Sequence, residues 1–140
     1  MTGIIHTLEQ QHRALEREVI SLEGAFAAKS ARGIRASLDK LNTMLTAHFG
    51  LEQREFYPAF LARAATADAE AAKLINLFHQ NLDRIAEGVL AFFNRWKGEL
   101  DAARLSELNA EWKTTLKILN GRLRDEEKVL HPIYVRLFST

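Results

Sequence analysis

The chain has 140 residues, 47% hydrophobic and 26% charged, with a formal charge of +1, which suits one soluble globular domain spanning 1–140 with a substantial core. Nineteen basic residues against eighteen acidic ones exclude the concentrated basic face of a nucleic-acid binder. The absence of cysteine excludes disulfides, thiolate metal sites and a cysteine nucleophile, and no stretch approaches the ~18 apolar residues of a membrane span. No basic leader precedes an apolar run at the N-terminus, so the cytoplasm is the expected compartment.

Helix formers dominate, and four segments carry apolar residues at alternating steps of three and four. The first seam is Ile5, Leu8, His12, Leu15, Val19 and Leu22. The second is Ile34, Leu38, Leu41, Leu45, His48 and Glu52. The third runs Ile75, His79, Leu82, Ala86, Val89, Phe93 and Trp96. The fourth starts at Leu108 and continues through Trp112, Leu116, Leu119, Leu123, Glu126, Leu130, Ile133 and Leu137. The breaks fall at Ser30–Gly33, at Ala64–Asp68 with Thr66 as an N-cap candidate, and at Gly98–Asp101 with Asp101 or Ser106 as cap. Short links between long helices predict an all-α, up-down-up-down antiparallel four-helix bundle. Only Pro58 and Pro132 are able to interrupt a helix by their chemistry.

Polar residues on these seams carry the functional signal. His12, His48 and His79 hold positions that call for leucine, and so do Glu52 and Glu126. A buried carboxylate costs several kcal/mol unless it is neutralised, hydrogen-bonded or metal-bound. One seam histidine is an ordinary core residue; three on three helices beside two carboxylates form a candidate metal layer. Counting depth from alternating ends at ~1.5 Å per residue is compatible with one shared layer.

The second and fourth segments echo each other. Glu52 lies six residues before Pro58, and Glu126 six before Pro132. His48 lies ten before Pro58, and its counterpart before Pro132 is Arg122. His48 and Glu52, four apart on a helix, point the same way and offer two ligands to one metal. Imidazole with carboxylate and no thiolate suits iron, manganese or zinc, and non-haem iron is the natural choice.

At these residues the chain resembles the haemerythrin-like, HHE cation-binding family, in its single-domain bacterial form. Gln11-His12-Arg-Ala-Leu, His48-x-x-x-Glu52 with Phe-Tyr-Pro58, Phe78-His79-Gln and Asp125-Glu126-Glu-Lys-Val-Leu-His-Pro132 carry the resemblance across nearly the whole chain. It implies a non-haem di-iron site in the bundle. His12 and His48 would hold one iron, His79 and a fourth-helix histidine the other, and Glu52 and Glu126 would bridge them. The resemblance implies a family of oxygen carriers, oxygen or iron sensors, and proteins that handle nitric oxide or repair iron centres.

Arg122 departs from that pattern, because arginine cannot ligate a metal. His131 is a poor substitute on a regular helix, about 140° around from Glu126, so it is expected to face away. Glu127 and His131 read as a surface i,i+4 pair and His6 as a surface residue. Two geometries remain open for Arg122: outward, leaving a depleted site, or inward, pairing with Glu52 or Glu126. Two functions follow. One is a metal-binding sensor or carrier of oxygen, nitric oxide or iron. The other is a metal-free interaction module that kept the bundle and binds a protein partner. Nothing in the chain specifies an enzyme's substrate channel.

Overall fold

The computed structural model describes residues 3–139, and among them four helical rods run with no strand. The first rod is α1, Gly3–Ala27. The second is α2, Ala31–Leu51, which continues through a π-helical turn at Glu52–Phe56 into α3, Tyr57–Ala67. The third is α4, Ala69–Arg95. A 3-10 turn at Ala102–Arg104 leads into the fourth, α5, Leu105–Asp125, which passes through a second π-helical turn, Glu126–Leu130, into α6, His131–Phe138. Short links fold each rod back on the one before it. The first rod packs on α2 and α5, and α4 packs on α2, α3 and α5, so the four close around one core. This is the all-α four-helix bundle that the periodicity predicts.

The seams explain the closure. Leu8, Leu15, Leu22, Ile34, Leu38, Leu41, Leu45, Ile75, Leu82 and Trp112 are buried from four sides. Each fully buried aliphatic or aromatic side chain contributes about 1.5–3 kcal/mol. At the far end, Phe56, Phe60 and Tyr134 stack with ring centroids 5.1–5.2 Å apart. The polar layer lies between these aromatics and the aliphatic seams.

The helix ends differ in detail from the sequence expectation. Ser30 caps α2, its Oγ accepting from the Gly33 N–H over 3.0 Å. Asp68, not Thr66, caps α4, accepting from the Ala71 N–H over 3.1 Å; Thr66 instead donates to the Arg63 carbonyl at the end of α3. A carboxylate at this helix start also meets the positive end of the helix dipole, which a hydroxyl does not. Asp101 caps the 3-10 turn, and Ser106 lies inside α5.

The end of α1 is closed by a Schellman motif. Ser30 N–H bonds the Ala25 carbonyl and Lys29 N–H the Phe26 carbonyl, both at 3.0 Å, with Lys29 at φ 55°. That left-handed conformation costs a non-glycine residue about 1 kcal/mol. Lys29 is exposed. Lys29→Gly is therefore expected to stabilise the protein by about 1 kcal/mol, read as a higher urea midpoint with an unchanged slope; an unchanged midpoint would show that the strain is relieved elsewhere.

Candidate metal centre

The two prolines shape the site. Proline lacks an N–H, and its ring crowds the carbonyl four residues back. Ahead of Pro58 and Pro132 the helix accommodates this by widening one turn, so that Tyr57 N–H bonds the Glu52 carbonyl and His131 N–H the Glu126 carbonyl, each five residues back. Both carboxylates thus open a widened turn, and the residue stacked one turn beyond each is Tyr57 or His131. Pro58 and Pro132 sit exposed at the start of α3 and α6 without breaking either rod.

Three ligand atoms converge. His12 from α1, His48 from α2 and Glu126 from the second π turn are fully buried, and one ligand atom of each lies within 4.8 Å of the others. The two Nε2 atoms are 3.2 Å apart. Glu126 Oε1 is 3.1 Å from His12 Nε2 and 3.5 Å from His48 Nε2, and Glu52 Oε1 is also 3.5 Å from His48 Nε2. Both rings are held from behind. His12 Nδ1 donates to Glu127 Oε2 over 2.6 Å, and His48 Nδ1 donates to Gln11 Oε1 over 2.7 Å. Glu127 is itself held by Arg13. Spending Nδ1–H on an outer acceptor turns each Nε2 inward as the available ligand atom.

The electrostatics set the four buried groups apart. Burial works against charge on His12, but hydrogen bonds to Glu126 and Glu127 outweigh it and raise its pKa. Burial lowers that of His48. In the metal-free protein a proton on His12 Nε2 thus sits where the His48 lone pair and Glu126 Oε1 meet. Burial raises the Glu52 pKa well above the carboxylate range, and repulsion by Glu126 adds to this. Burial would raise Glu126 too, but hydrogen bonds from Glu52, His12 and His48 hold it well below. One carboxyl is neutral and its neighbour ionised. Among the described residues both Glu52 oxygens lack a donor; protonated, Glu52 becomes the donor and Glu126 the acceptor.

The same geometry fits a metal ion. Metal–nitrogen bonds of about 2.1 Å put neighbouring ligand atoms about 3.0–3.4 Å apart, close to the 3.1–3.5 Å separations here. The donor set is imidazole and carboxylate, with each imidazole already oriented from outside.

Arg122 points inward. It is 3% exposed, and its Nε donates to Glu126 Oε2 over 3.0 Å, its Nη1 to the Phe78 carbonyl over 2.9 Å and its Nη2 to the Tyr57 hydroxyl. The guanidinium fills the space between the second π turn, α4 and α3. His79, expected beside the carboxylates, is only half buried and stacks on Tyr57 with centroids 4.7 Å apart, outside the three-atom group. Tyr57 is fully buried, its ring against His79 and its hydroxyl engaged by Arg122. His131 does not face away: it is 2% exposed, its ring 5.9 Å from that of His12, and its Nδ1 donates to Glu9 rather than meeting Glu127. The widened turn supplies the missing rotation. His6 is exposed, as expected.

The opposed pKa shifts give Glu52 and Glu126 different weights in the metal-free protein. Glu52 stays protonated where the unfolded chain ionises, above about pH 4.3, so stability is lost as pH rises from there. Glu52→Gln removes that penalty: the variant should match the parent near pH 4 and exceed it at pH 7. Glu126→Gln should instead cost about 3–5 kcal/mol at pH 7, because Arg122 loses its partner. Denaturant curves at the two pH values check both signs.

A family model described as the Hemerythrin HHE cation binding domain matches residues 3–134. No curated protein and no solved structure matches the chain significantly. The family match spans all four rods and every residue of the converging cluster. The chain belongs to the haemerythrin family of HHE cation-binding domains.

Proposed function

We propose that this protein binds one non-haem iron ion through His12, His48, Glu126 and Glu52, and serves as a sensor or carrier of oxygen, nitric oxide or iron itself. The observation that carries the reading is the pair of Nε2 atoms 3.2 Å apart, facing the buried Glu126 carboxylate while both Nδ1 atoms are engaged behind. The imidazoles disfavour calcium, the imidazole–carboxylate set suits iron, manganese or zinc, and iron is chosen among these on the family resemblance. A bound ion would supply reversible coordination of a small ligand. The chain's residues orient the imidazoles, exclude bulk water and, until an ion binds, hold a proton on Glu52.

Arg122 argues for one ion rather than two. Its guanidinium is a fixed cation on Glu126 Oε2, at the fourth-helix position where the family resemblance implies a histidine. His79, turned onto Tyr57, stands apart as the remaining second-ion ligand. Arg122 also favours a second reading, in which proton and guanidinium satisfy the carboxylates permanently and the bundle is a metal-free interaction module.

Anaerobic loading with ferrous iron, followed by metal analysis, separates these readings. One iron per chain is expected, lost in His48→Ala. Arg122→His should lift the count above one. Optical spectra on exposure to oxygen or nitric oxide should change only in the loaded protein. Parent and His48→Ala chains with equal residual iron would leave only the module.

Metal uptake should also release protons from His12 and Glu52, so affinity climbs with pH. Calorimetry in two buffers of different ionisation enthalpy reads that release directly, and zero released protons would contradict the proposed ligand set.

A further inference from the structure

The bundle buries a third imidazole that the ligand set does not use. His131 lies on the first turn beyond the second π turn, and its Nδ1 donates to the Glu9 carboxylate over 2.9 Å. That bond keeps the proton on Nδ1 and leaves a lone pair on Nε2. Nε2 is buried with no hydrogen-bond partner among the described residues. Buried polar atoms without a partner are few in folded proteins, and each requires an explanation. The ring lies nearly parallel to His12, at an interplanar angle of 23°, and edge-on to Phe56. It is outside the group of converging ligand atoms, yet its neighbour in the stack is a member of that group. Glu9 therefore positions a proton acceptor beside the centre.

Resting on the metal reading above, we propose that His131 accepts a hydrogen bond from a protic small molecule held at the centre, water in the first instance, and so makes the centre favour protic ligands over aprotic anions. A lone pair on Nε2 attracts an O–H and repels the lone pairs of an anion such as azide. Glu9 is the orienting partner, and Phe56 at the ring's edge keeps the acceptor in one pose. His131 follows the second π turn as Tyr57 follows the first, where the hydroxyl is engaged by Arg122. The two halves of the layer thus differ: one side is closed by a cation, the other offers an open acceptor.

Imidazole nitrogen-15 NMR of the metal-free protein reads the tautomer. Nδ1–H is expected for His131, and Nε2–H overturns the proposal whether or not metal binds. The second measurement titrates azide into cobalt(II)-loaded protein, followed by its visible bands. His131→Phe keeps a ring against Phe56 and His12, and it strands no buried charge because the Glu9 side chain is 42% exposed. Equal cobalt stoichiometry is expected, with azide binding about three- to tenfold tighter in the variant, the worth of one hydrogen bond to the competing water. Equal azide affinity overturns the proposal, as does loss of cobalt, which would make His131 itself a ligand. Should the variant not fold, His131→Gln, whose carbonyl oxygen also accepts, is expected within about twofold of the parent; a tighter azide site there counts against an acceptor role. A parent that binds no cobalt, with Nδ1–H in place, overturns the metal reading and the ligand role together. An Nε2–H tautomer with cobalt bound overturns the His131 proposal alone.

Discussion

The buried pair between Arg122 and Glu126 is the constraint on which the polar layer depends. Its N–O separation is 3.0 Å, and both side chains are nearly or fully excluded from solvent. A carboxylate in that position is untenable without a cation. Arg122 fixes one oxygen, which leaves the other for the imidazoles. Burial and repulsion by Glu126 push the Glu52 pKa up, while hydrogen bonds from Glu52, His12 and His48 hold that of Glu126 down, so the two adjacent carboxyls are driven apart. The guanidinium's other donors engage the Phe78 carbonyl and the Tyr57 hydroxyl, tying α4 and α3 to the same carboxylate. A lysine would offer one charge but not this fork across three rods.

On the other side of Glu126 the charge is mobile rather than fixed. His12, Glu127 and Arg13 form a line from the buried oxygen to the surface, with Glu127 partly exposed at 26%. Protons can leave that side and a metal can take their place, whereas arginine keeps its charge throughout the accessible pH range. The layer is therefore asymmetric in chemistry although its two carboxylates and two prolines are symmetric in spacing. That asymmetry is the physical content of having one histidine where a repeated pattern would have two.

Much of this was legible in the sequence. Leucines at three-and-four spacing gave the rods and placed His12, His48, Glu52 and Glu126 on inward faces. The inward arginine was one of two open readings. What selects it, the Tyr57 hydroxyl and the Phe78 carbonyl, lies 65 and 44 residues away in the chain, beyond any local pattern. His79 sat on its seam by periodicity between the buried Ile75 and Leu82, yet it lies only half inside; a ring partner on another rod drew it onto Tyr57. His131 was misplaced for a simpler reason: angular counting at a constant step holds only while every turn has the same number of residues. Pro132 was the available signal that this turn would not.

The widened turns have a consequence for how this chain can change over generations. Gln53, Arg54 and Glu55 are exposed, as is Lys128 in the second turn, so their identities are loosely held. Their number is not. Removing or adding one residue between Glu52 and Pro58, or between Glu126 and Pro132, would swing everything beyond it about a quarter of the way around the rod. Tyr57 and Phe60, or His131 and Tyr134, would leave the interior together. These stretches look like ordinary surface, where substitutions spread freely, but they tolerate insertions and deletions no better than a packed interior does. Lineages of this fold can rewrite the letters there while the count stays fixed.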